Sequence, residues 1–218
     1  MEDLIKLYLR EKIHIAEMID IEPIAELAEV IEDCWESKGR IFIFANGGPA
    51  GTAIHFAADL AQHPFVSEDK KSVNNAAKLR VHCLCNSGPL ITGIANDLGF
   101  ENIFKEQLES YANEFEEMDV VIAFSASGNS KNIVEALKYA KECGAITACI
   151  SGANNNIARA KDYSNIWIPI PGTSEFPGQT GGNDNCFHIE DFFLSIAHMV
   201  TGILKDRVAG EDGYVESE

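Results

Sequence analysis

The chain has 218 residues with 17 basic and 34 acidic side chains, so its formal net charge is −17 with histidines neutral. This balance excludes a protein that grips nucleic acid or an anionic membrane electrostatically, because both need a basic surface. At 46% hydrophobic and 9% aromatic residues, the chain is also too apolar to be disordered.

The N-terminal residues, the lack of a long apolar run and the cysteines indicate the cellular compartment. The sequence has no run of about eighteen uncharged apolar residues. The first nine residues carry Glu2, Asp3 and Lys6 where a signal peptide would have a basic and then an apolar region. We therefore expect a soluble cytoplasmic protein. The six cysteines form no CxxC pair, so we interpret them as reduced structural thiols, with no disulfide frame and no cysteine zinc site.

The first 38 residues have an acidic, helical pattern. Ile5, Tyr8 and Leu9 share a helical face, and Pro23 suits the first turn of a second helix running to about Ser37. The pattern predicts an N-terminal helical extension over residues 1–38 that takes part in oligomerisation.

From residue 39 onward, short β-rich runs take turns with helical patterns. Strands are predicted at 40–45, 80–85, 120–124, 146–150 and 166–170, and helices at about 50–62, 88–95, 101–115, 130–143, 155–160 and 188–205. The strands show little period-2 alternation, which is typical of strands covered on both faces. The order predicts an α/β fold, a doubly wound parallel five-stranded sheet over residues 39–205, followed by an acidic, frayed tail over 206–218. In such sheets ligands lie at the carboxyl ends of the strands.

The strongest local motif is Phe-Ser-Ala-Ser-Gly-Asn-Ser at 124–130, between a strand and a helix. Its serine hydroxyls, Gly128 and the N–H groups of the helix start suit a phosphate. The alternative is an ordinary helix cap.

Asn46-Gly47-Gly48 repeats this arrangement after the first strand, although a Gly pair alone also fits a plain turn. Neither GxGxxG spacing nor a GK[ST] motif is present, so we expect no nucleotide cofactor.

Two helices carry candidate metal ligands and proton-transfer groups. His55 and Asp59 are four residues apart, and Glu190 and His198 are eight apart, so each pair lies close to one helix face. If the helices pack together, the four groups converge and suit zinc or a similar divalent ion, or proton transfer. Taken singly, His55 and Asp59 also fit a solvated surface pair.

Two further segments are less specific. Asn96-Asp97 follows an apolar stretch and could be a simple turn. The Gly- and Pro-rich segment 171–185 is long for a connection, and we expect a lid or an interface loop there.

Taken together, these motifs resemble the SIS-domain phosphoheptose isomerases, which convert sedoheptulose 7-phosphate to D-glycero-D-manno-heptose 7-phosphate. Five segments carry the resemblance over nearly the whole chain: residues 45–48, 55–60, 94–100, 125–130 and the helix from Ile189 through His198.

The resemblance implies a role for each matching position. Asp59 and His198 are implied as the catalytic acid/base pair, and one zinc per site is implied on His55, Asp59, Glu190 and His198. The implied substrate-binding residues are Asn46, Gly47, Gly48, Asp59, Asn96, Asp97, Ser125, Ala126, Ser127, Ser130 and Glu190. It also implies a homotetramer with sites at subunit interfaces.

Several positions depart from the family pattern. Asp59 stands where a glutamate is usual, Glu190 where a glutamine is usual, and Pro49, Ala126 and His63 replace a serine, a threonine and an arginine. These changes bear on the identity of the phosphosugar more than on the type of reaction.

The hypothesis from the sequence is an aldose–ketose isomerase that works through an enediol, with Asp59 as the carbon-proton base and His198 exchanging protons with the sugar oxygens. The alternatives are a non-catalytic SIS protein that binds a sugar phosphate as regulator or assembly factor, and an isomerase of another phosphosugar. His198 favours an enzyme, because the assembly-factor relatives typically lack it.

Overall fold

The computed structural model describes residues 1–74, 76–111, 115, 118–153, 158–212 and 214–216. The helices are α1 (Glu2–Met18), α2 (Glu22–Glu36), α3 (Gly47–Gln62), α4 (Gly88–Asp97), α5 (Lys105–Tyr111), α6 (Lys131–Glu142), α7 (Arg159–Asp162) and α8 (Cys186–Asp212). The strands are β1 (Arg40–Ala45), β2 (Ser72–Asn74), β3 (Arg80–Cys83), β4 (Val120–Ser125), β5 (Ile146–Gly152), β6 (Ile166–Ile170) and β7 (Tyr214–Glu216).

A five-stranded sheet in the order β3-β1-β4-β5-β6 organises the fold, and its strands are parallel. All six residues of the central strand β4 are buried. Helices cover both faces, which explains the absence of alternation in the sequence. The predicted doubly wound α/β sheet is therefore confirmed.

Alternate residues of β4 point into two separate apolar layers. Ile122 and Phe124 pack with α2, α3 and α8, and Val121 and Ala123 pack with α5 and α6. On the first face, Phe124 contacts Phe56 of α3 and Phe193 of α8, with ring centroids 6.1 and 5.3 Å apart. Burying each such ring contributes about 1.5–3 kcal/mol to stability, so this layer fixes α3 and α8 side by side on the sheet.

Among the described residues, α8 is the one helix long and apolar enough to cross a membrane, judged by length and composition alone. Half of its most apolar stretch is buried inside the molecule, where Phe193, Ile196 and Val200 are almost inaccessible to solvent. Packing against α2 and α3 accounts for this apolar character.

Several boundaries differ from the sequence expectation. β3 ends at Cys83, not at residue 85. The helix predicted at 101–115 begins as a 3₁₀ turn (Phe100–Asn102) and continues as α5, and its positions 112–114 lie outside the described residues. The helix predicted at 155–160 falls partly on 154–157, outside the described residues, and α7 covers the rest. Helix α8 continues to Asp212, and β7 pairs antiparallel with β2. Both strands of this small pair went unpredicted because three residues carry too little pattern.

Candidate active site

A cleft of about 430 Å³ opens at the carboxyl ends of β1, β4 and β5, where a doubly wound sheet places its ligands. Its size suits a small sugar phosphate. The predicted residues that line it are Asn46, Gly47, Gly48, Ser125, Ala126, Ser127, Ser130 and Glu190.

The loop after β4 is stabilised by hydrogen bonds between its own residues. Gly128 has a φ of 63°, and its N–H donates to the carbonyl of Ser125 at 3.0 Å and to the Ser125 hydroxyl at 3.2 Å. Ser127 Oγ accepts from the Asn129 N–H at 3.2 Å. Ser130 occupies the N-cap of α6 without a side-chain capping bond. Since the first N–H groups of a helix have no intrahelical acceptor, the Ser130 hydroxyl and the start of α6 together suit a phosphate.

The first loop is tied to the second by a pair of amides. Asn46 Nδ2 donates to Asn132 Oδ1 at 2.9 Å, and Asn132 Nδ2 donates to Asn46 Oδ1 at 2.7 Å. Asn132 is only 1% exposed, and sequence reasoning missed it. The signal was an asparagine in the first turn of the helix that follows the serine-rich loop. This pair fixes the distance between the two loops that line the cleft.

His55, Asp59 and His198 meet where α3 packs against α8. His55 Nε2 lies 3.2 Å from Asp59 Oδ2 and 3.3 Å from His198 Nε2, and His198 Nε2 lies 3.8 Å from Asp59 Oδ2. Their side chains are 47%, 22% and 53% exposed, so the cluster is open to a ligand. Sequence spacing could place each pair on a face, and the packing of α3 on α8 brings them together.

The geometry of this cluster fits a single divalent ion. In a tetrahedral site with bonds of about 2.05 Å, neighbouring ligand atoms are about 3.3 Å apart. The three observed distances are within about 0.5 Å of that value. Two imidazole Nε2 atoms that face each other also require a shared proton or a shared cation between them. The donor set, two imidazoles and a carboxylate, suits zinc.

Glu190 stands apart from this cluster, at the border of the cleft. Its Oε2 would lie 2.7 Å from a Cβ built on Gly48, so a larger residue at position 48 would displace the Glu190 carboxylate. Eight residues of helix separate Glu190 from His198, about 12 Å along the axis. Both nevertheless line one shallow depression with Thr52 and Lys12, and Glu190 also lines the cleft. Glu190 therefore joins the cleft to the depression that holds His198.

Cys186 lies beside Glu190 and behaves as a hydrogen-bond donor. Burial and the neighbouring Glu190 carboxylate raise the pKa of the Cys186 thiol. Its sulfur lies 3.6 Å from Glu190 Oε1. The thiol therefore stays protonated and orients the carboxylate.

Asn96 and Asp97 lie at the end of α4, exposed and outside the cleft lining. Asn96 Nδ2 donates to Asp97 Oδ1 at 2.7 Å. Within the described residues, α4 buries none of its side chains. Their role in holding the substrate stays a prediction.

The segment 171–185, to which the sequence assigned no chemistry, borders the cleft through Gly181, Gly182 and Asp184. It is fastened to α1. Glu11 Oε2 accepts from the Ser174 hydroxyl at 2.7 Å and lies 3.0 Å from Nε2 of the fully buried His188, and Glu11 Oε1 accepts from the Glu175 N–H at 2.8 Å. Burial alone would raise the pKa of Glu11, but these hydrogen bonds outweigh it and lower the pKa. Sequence reasoning missed this buried cluster, because its members are over 160 residues apart.

Comparison with known proteins gives one consistent family. The model of the SIS domain matches residues 8–152. The chain is 36% identical to a probable phosphoheptose isomerase of Thermoplasma acidophilum, over 93% of this chain and 98% of that protein. It is 30% identical to phosphoheptose isomerase 1 of Campylobacter jejuni, over 84% of this chain and 86% of that protein. In structure it is similar to the phosphoheptose isomerase of Neisseria gonorrhoeae, with a TM-score of 0.74 and 24% identity over 94% of this chain and 98% of that one.

Proposed function

The chain belongs to the phosphoheptose isomerase family of SIS-domain proteins, and from this premise we propose which residues carry its reaction. It is an aldose–ketose isomerase that interconverts sedoheptulose 7-phosphate and D-glycero-D-manno-heptose 7-phosphate. The observation that carries our assignment is that the serine-rich loop lines the cleft and His198 of the His55–Asp59–His198 cluster lines the depression beside it, with Glu190 lining both.

Substrate binding starts at the phosphate. Its oxygens accept hydrogen bonds from Ser127, Ser130 and the first N–H groups of α6, where the helix dipole favours an anion. The net charge of −17 opposes a dianionic substrate, so this local donor set supplies the attraction. The sugar then extends past Asn46, Gly48 and Glu190 toward His198.

Isomerisation moves a proton between two adjacent sugar carbons. Asp59 contacts both imidazoles through Oδ2, and we assign its other oxygen, Oδ1, as the carbon-proton base. His198 donates to and accepts from the sugar oxygens on either side of the enediol. One carboxylate thus serves positioning with one oxygen and catalysis with the other.

We assign the metal site to His55, Asp59 and His198, with Glu190 as the fourth ligand when its side chain turns toward His198. A divalent ion bound there would polarise the carbonyl oxygen of the sugar and stabilise negative charge on it. The experiment is metal analysis of the purified protein. We expect one zinc per chain, lost in His55→Ala and weakened in Glu190→Ala. A wild-type chain that binds no divalent ion after dialysis against zinc contradicts the assignment.

The isomerase assignment is tested on two variants. Asp59→Asn and His198→Ala are expected to lower turnover of sedoheptulose 7-phosphate by about a hundredfold or more, because each removes a proton-transfer group. Phosphosugar binding, measured by calorimetry, should persist in both, because the serine-rich loop is untouched. The readout is aldose formation, with and without added zinc.

Matched controls are Asp206→Asn on α8 and His14→Ala on α1, both exposed and absent from the cleft lining. These should keep wild-type rates. Full activity in Asp59→Asn or in His198→Ala excludes that residue as catalytic. A panel of five- to seven-carbon phosphosugars identifies the preferred substrate, since Asp59, Pro49 and Ala126 depart from the family pattern.

We further propose a cytoplasmic homo-oligomer, a tetramer by analogy with the family. Helix α1 supports the assembly, because Ile5, Leu9 and Ile13 form a stripe that is 54–61% exposed. Three aliphatic side chains in a row on one helix are typical of an interface.

A further inference from the structure

Lys12 of α1 lies beside the cleft and has no part in the reaction as described so far. Together with His198 it lines the shallow depression that Glu190 shares with the cleft. Of the described residues that line the cleft or this depression, Lys12 is the one lysine or arginine. In a chain with a net charge of −17, its ammonium group is therefore a conspicuous donor for a hydroxyl-rich ligand.

Contacts with α8 hold the Lys12 ammonium in place. Its Nζ donates to Asp191 Oδ2 at 2.7 Å, and the hydroxyl of Tyr8, four residues earlier on α1, donates to the same oxygen at 2.9 Å. Lys12 Nζ also lies 5.9 Å from the centre of the Phe192 ring. Because these contacts already order the side chain, a ligand that binds to it pays little further entropy.

The ammonium group has donors to spare. A lysine ammonium carries three N–H donors and no acceptor. Within the described part of the chain, the acceptor that Lys12 contacts is Asp191, which leaves two N–H groups for a ligand. The side chains of Lys12 and Asp191 are 35% and 38% exposed, so the ion pair is accessible from the depression. Sugar hydroxyls are suitable acceptors for these N–H groups.

The position of Lys12 along α8 determines which part of a sugar it meets. Its partner Asp191 is seven residues before His198 on α8, about 10 Å along the helix axis. Asp191 directly follows Glu190, the residue common to the cleft and the depression. A phosphosugar with its phosphate at the serine-rich loop and its reacting carbons at His198 therefore passes Lys12 with its middle carbons.

We propose that Lys12 is a specificity-determining residue that donates hydrogen bonds to hydroxyl groups on the middle carbons of the phosphosugar. The inference rests on the proposed function, because it uses the same placement of the phosphate and of the reacting carbons. Lys12 keeps its proton, and no covalent bond to it forms or breaks. The N-terminal extension, which the sequence connects only with oligomerisation, thereby supplies part of the sugar site.

The binding test compares a ligand that has middle hydroxyls with one that lacks them. The first is the heptitol 7-phosphate made by borohydride reduction of sedoheptulose 7-phosphate, which cannot isomerise, and the second is inorganic phosphate. In Lys12→Met the dissociation constant of the heptitol phosphate should rise about tenfold or more, because hydrogen bonds from a charged donor are lost. The affinity for inorganic phosphate should stay unchanged. Equal affinity of wild type and Lys12→Met for the heptitol phosphate, or equal weakening of both ligands, overturns the proposal.

Two control variants separate this role from a change in net charge and from the attachment of α1. Lys6→Met, at an exposed position of α1, alters the net charge equally. Tyr8→Phe removes the other hydrogen bond from α1 to Asp191 and keeps the ammonium group. Both should bind the heptitol phosphate as the wild type does, and Lys12→Arg should retain more affinity than Lys12→Met. If Tyr8→Phe weakens binding as much as Lys12→Met, the attachment of α1 explains the loss and the proposal fails.

Turnover separates this inference from the proposed function. In Lys12→Met, KM for sedoheptulose 7-phosphate should rise about tenfold while kcat stays within about twofold, because the middle hydroxyls are held equally in the ground state and the transition state. An unchanged KM with a lowered kcat contradicts the assigned role. A wild type that converts no phosphosugar, but whose affinity for the heptitol phosphate falls in Lys12→Met, contradicts the isomerase assignment and leaves the role of Lys12 standing.

Discussion

The three serines of the loop between β4 and α6 occupy different environments, although the sequence motif does not distinguish them. Ser125 is only 5% exposed, and its hydroxyl accepts from the Gly128 N–H. Ser127 accepts from Asn129, and Ser130 caps α6 without a side-chain bond. The first serine therefore shapes the loop, and the last has its hydroxyl available for the ligand.

We predict that Ser130→Ala and Ser125→Ala fail in different ways. Ser130→Ala should weaken phosphosugar binding by about tenfold or more, because a hydrogen bond to a charged group contributes about 1.5–3 kcal/mol, and should leave thermal stability unchanged. Ser125→Ala should lower the free energy of unfolding by about 1 kcal/mol, because the Gly128 N–H loses an acceptor. Calorimetric titration and denaturant melts separate the two. Equal loss of binding in both variants would contradict the division of roles.

Gly128 shows how the loop depends on its neighbours. Its φ is 63°, and an added Cβ would lie 2.7 Å from the Cβ of Ala158, just ahead of α7. Gly144, after α6, has a φ of 94° but nothing within 4 Å of an added Cβ. Both glycines have a positive φ, but an added Cβ would clash with a neighbouring residue at Gly128 and not at Gly144.

We predict that Gly144→Ala costs about 1–2 kcal/mol of stability, from the left-handed backbone alone. Gly128→Ala should cost more, because the clash adds to the strain, and it should also abolish phosphosugar binding. Urea melts measure both variants, with calorimetry for binding. If the two substitutions cost the same and both bind substrate, the close approach to Ala158 is not needed to hold the loop.

The fastening of α1 to the segment 171–185 gives a stability that depends on pH. The pKa of Glu11 is lowered by its hydrogen bonds. A carboxyl with a lowered pKa stabilises the fold above its unfolded pKa, and this contribution is lost as the pH falls through the folded pKa.

Glu11→Gln should therefore lower the free energy of unfolding at pH 7 by about 1–2 kcal/mol. The difference between wild type and variant should shrink as the pH falls below the ordinary glutamate value of 4.5. Denaturant melts between pH 7 and pH 3 measure it, with Glu17→Gln, exposed on the same helix, as control. A difference that stays constant over this range would show that the charge of Glu11 is not what holds the segment.

Across the whole molecule, the apolar surface and the acidic surplus act in opposite directions on assembly. The net charge of −17 favours separated chains through repulsion, while the stripe Ile5, Leu9 and Ile13 favours association. The position of this stripe on α1, which also fastens the segment 171–185, makes oligomerisation relevant to the cleft.

We predict that Ile13→Glu dissociates the oligomer, because it places a charge in the middle of the apolar stripe. Lys138→Glu on α6 places a negative charge at a partly exposed position of another helix and should leave the assembly intact. Sedimentation velocity gives the masses. A wild-type chain that sediments as a monomer contradicts the proposed assembly.

The sequence determined the fold class and most of the cleft. Buried β-rich runs alternating with helical patterns indicate a parallel sheet covered on both faces, and parallel sheets bring loops such as 46–48 and 125–130 to one edge. These are local or topological rules, so a single sequence carries them. The same rules could not locate β2 and β7, which are three residues long.

Only the tertiary structure decided which side chains meet. The packing of α3 on α8 brings His55 and Asp59 to His198, and leaves Glu190 about two turns away. It also pairs Asn46 with Asn132 and Glu11 with His188. The physical reason is that a helix pattern fixes which face a residue occupies, while the partner of that face depends on the crossing and register of two helices. These are set by the packing of large side chains such as Phe56 and Phe193 on the sheet.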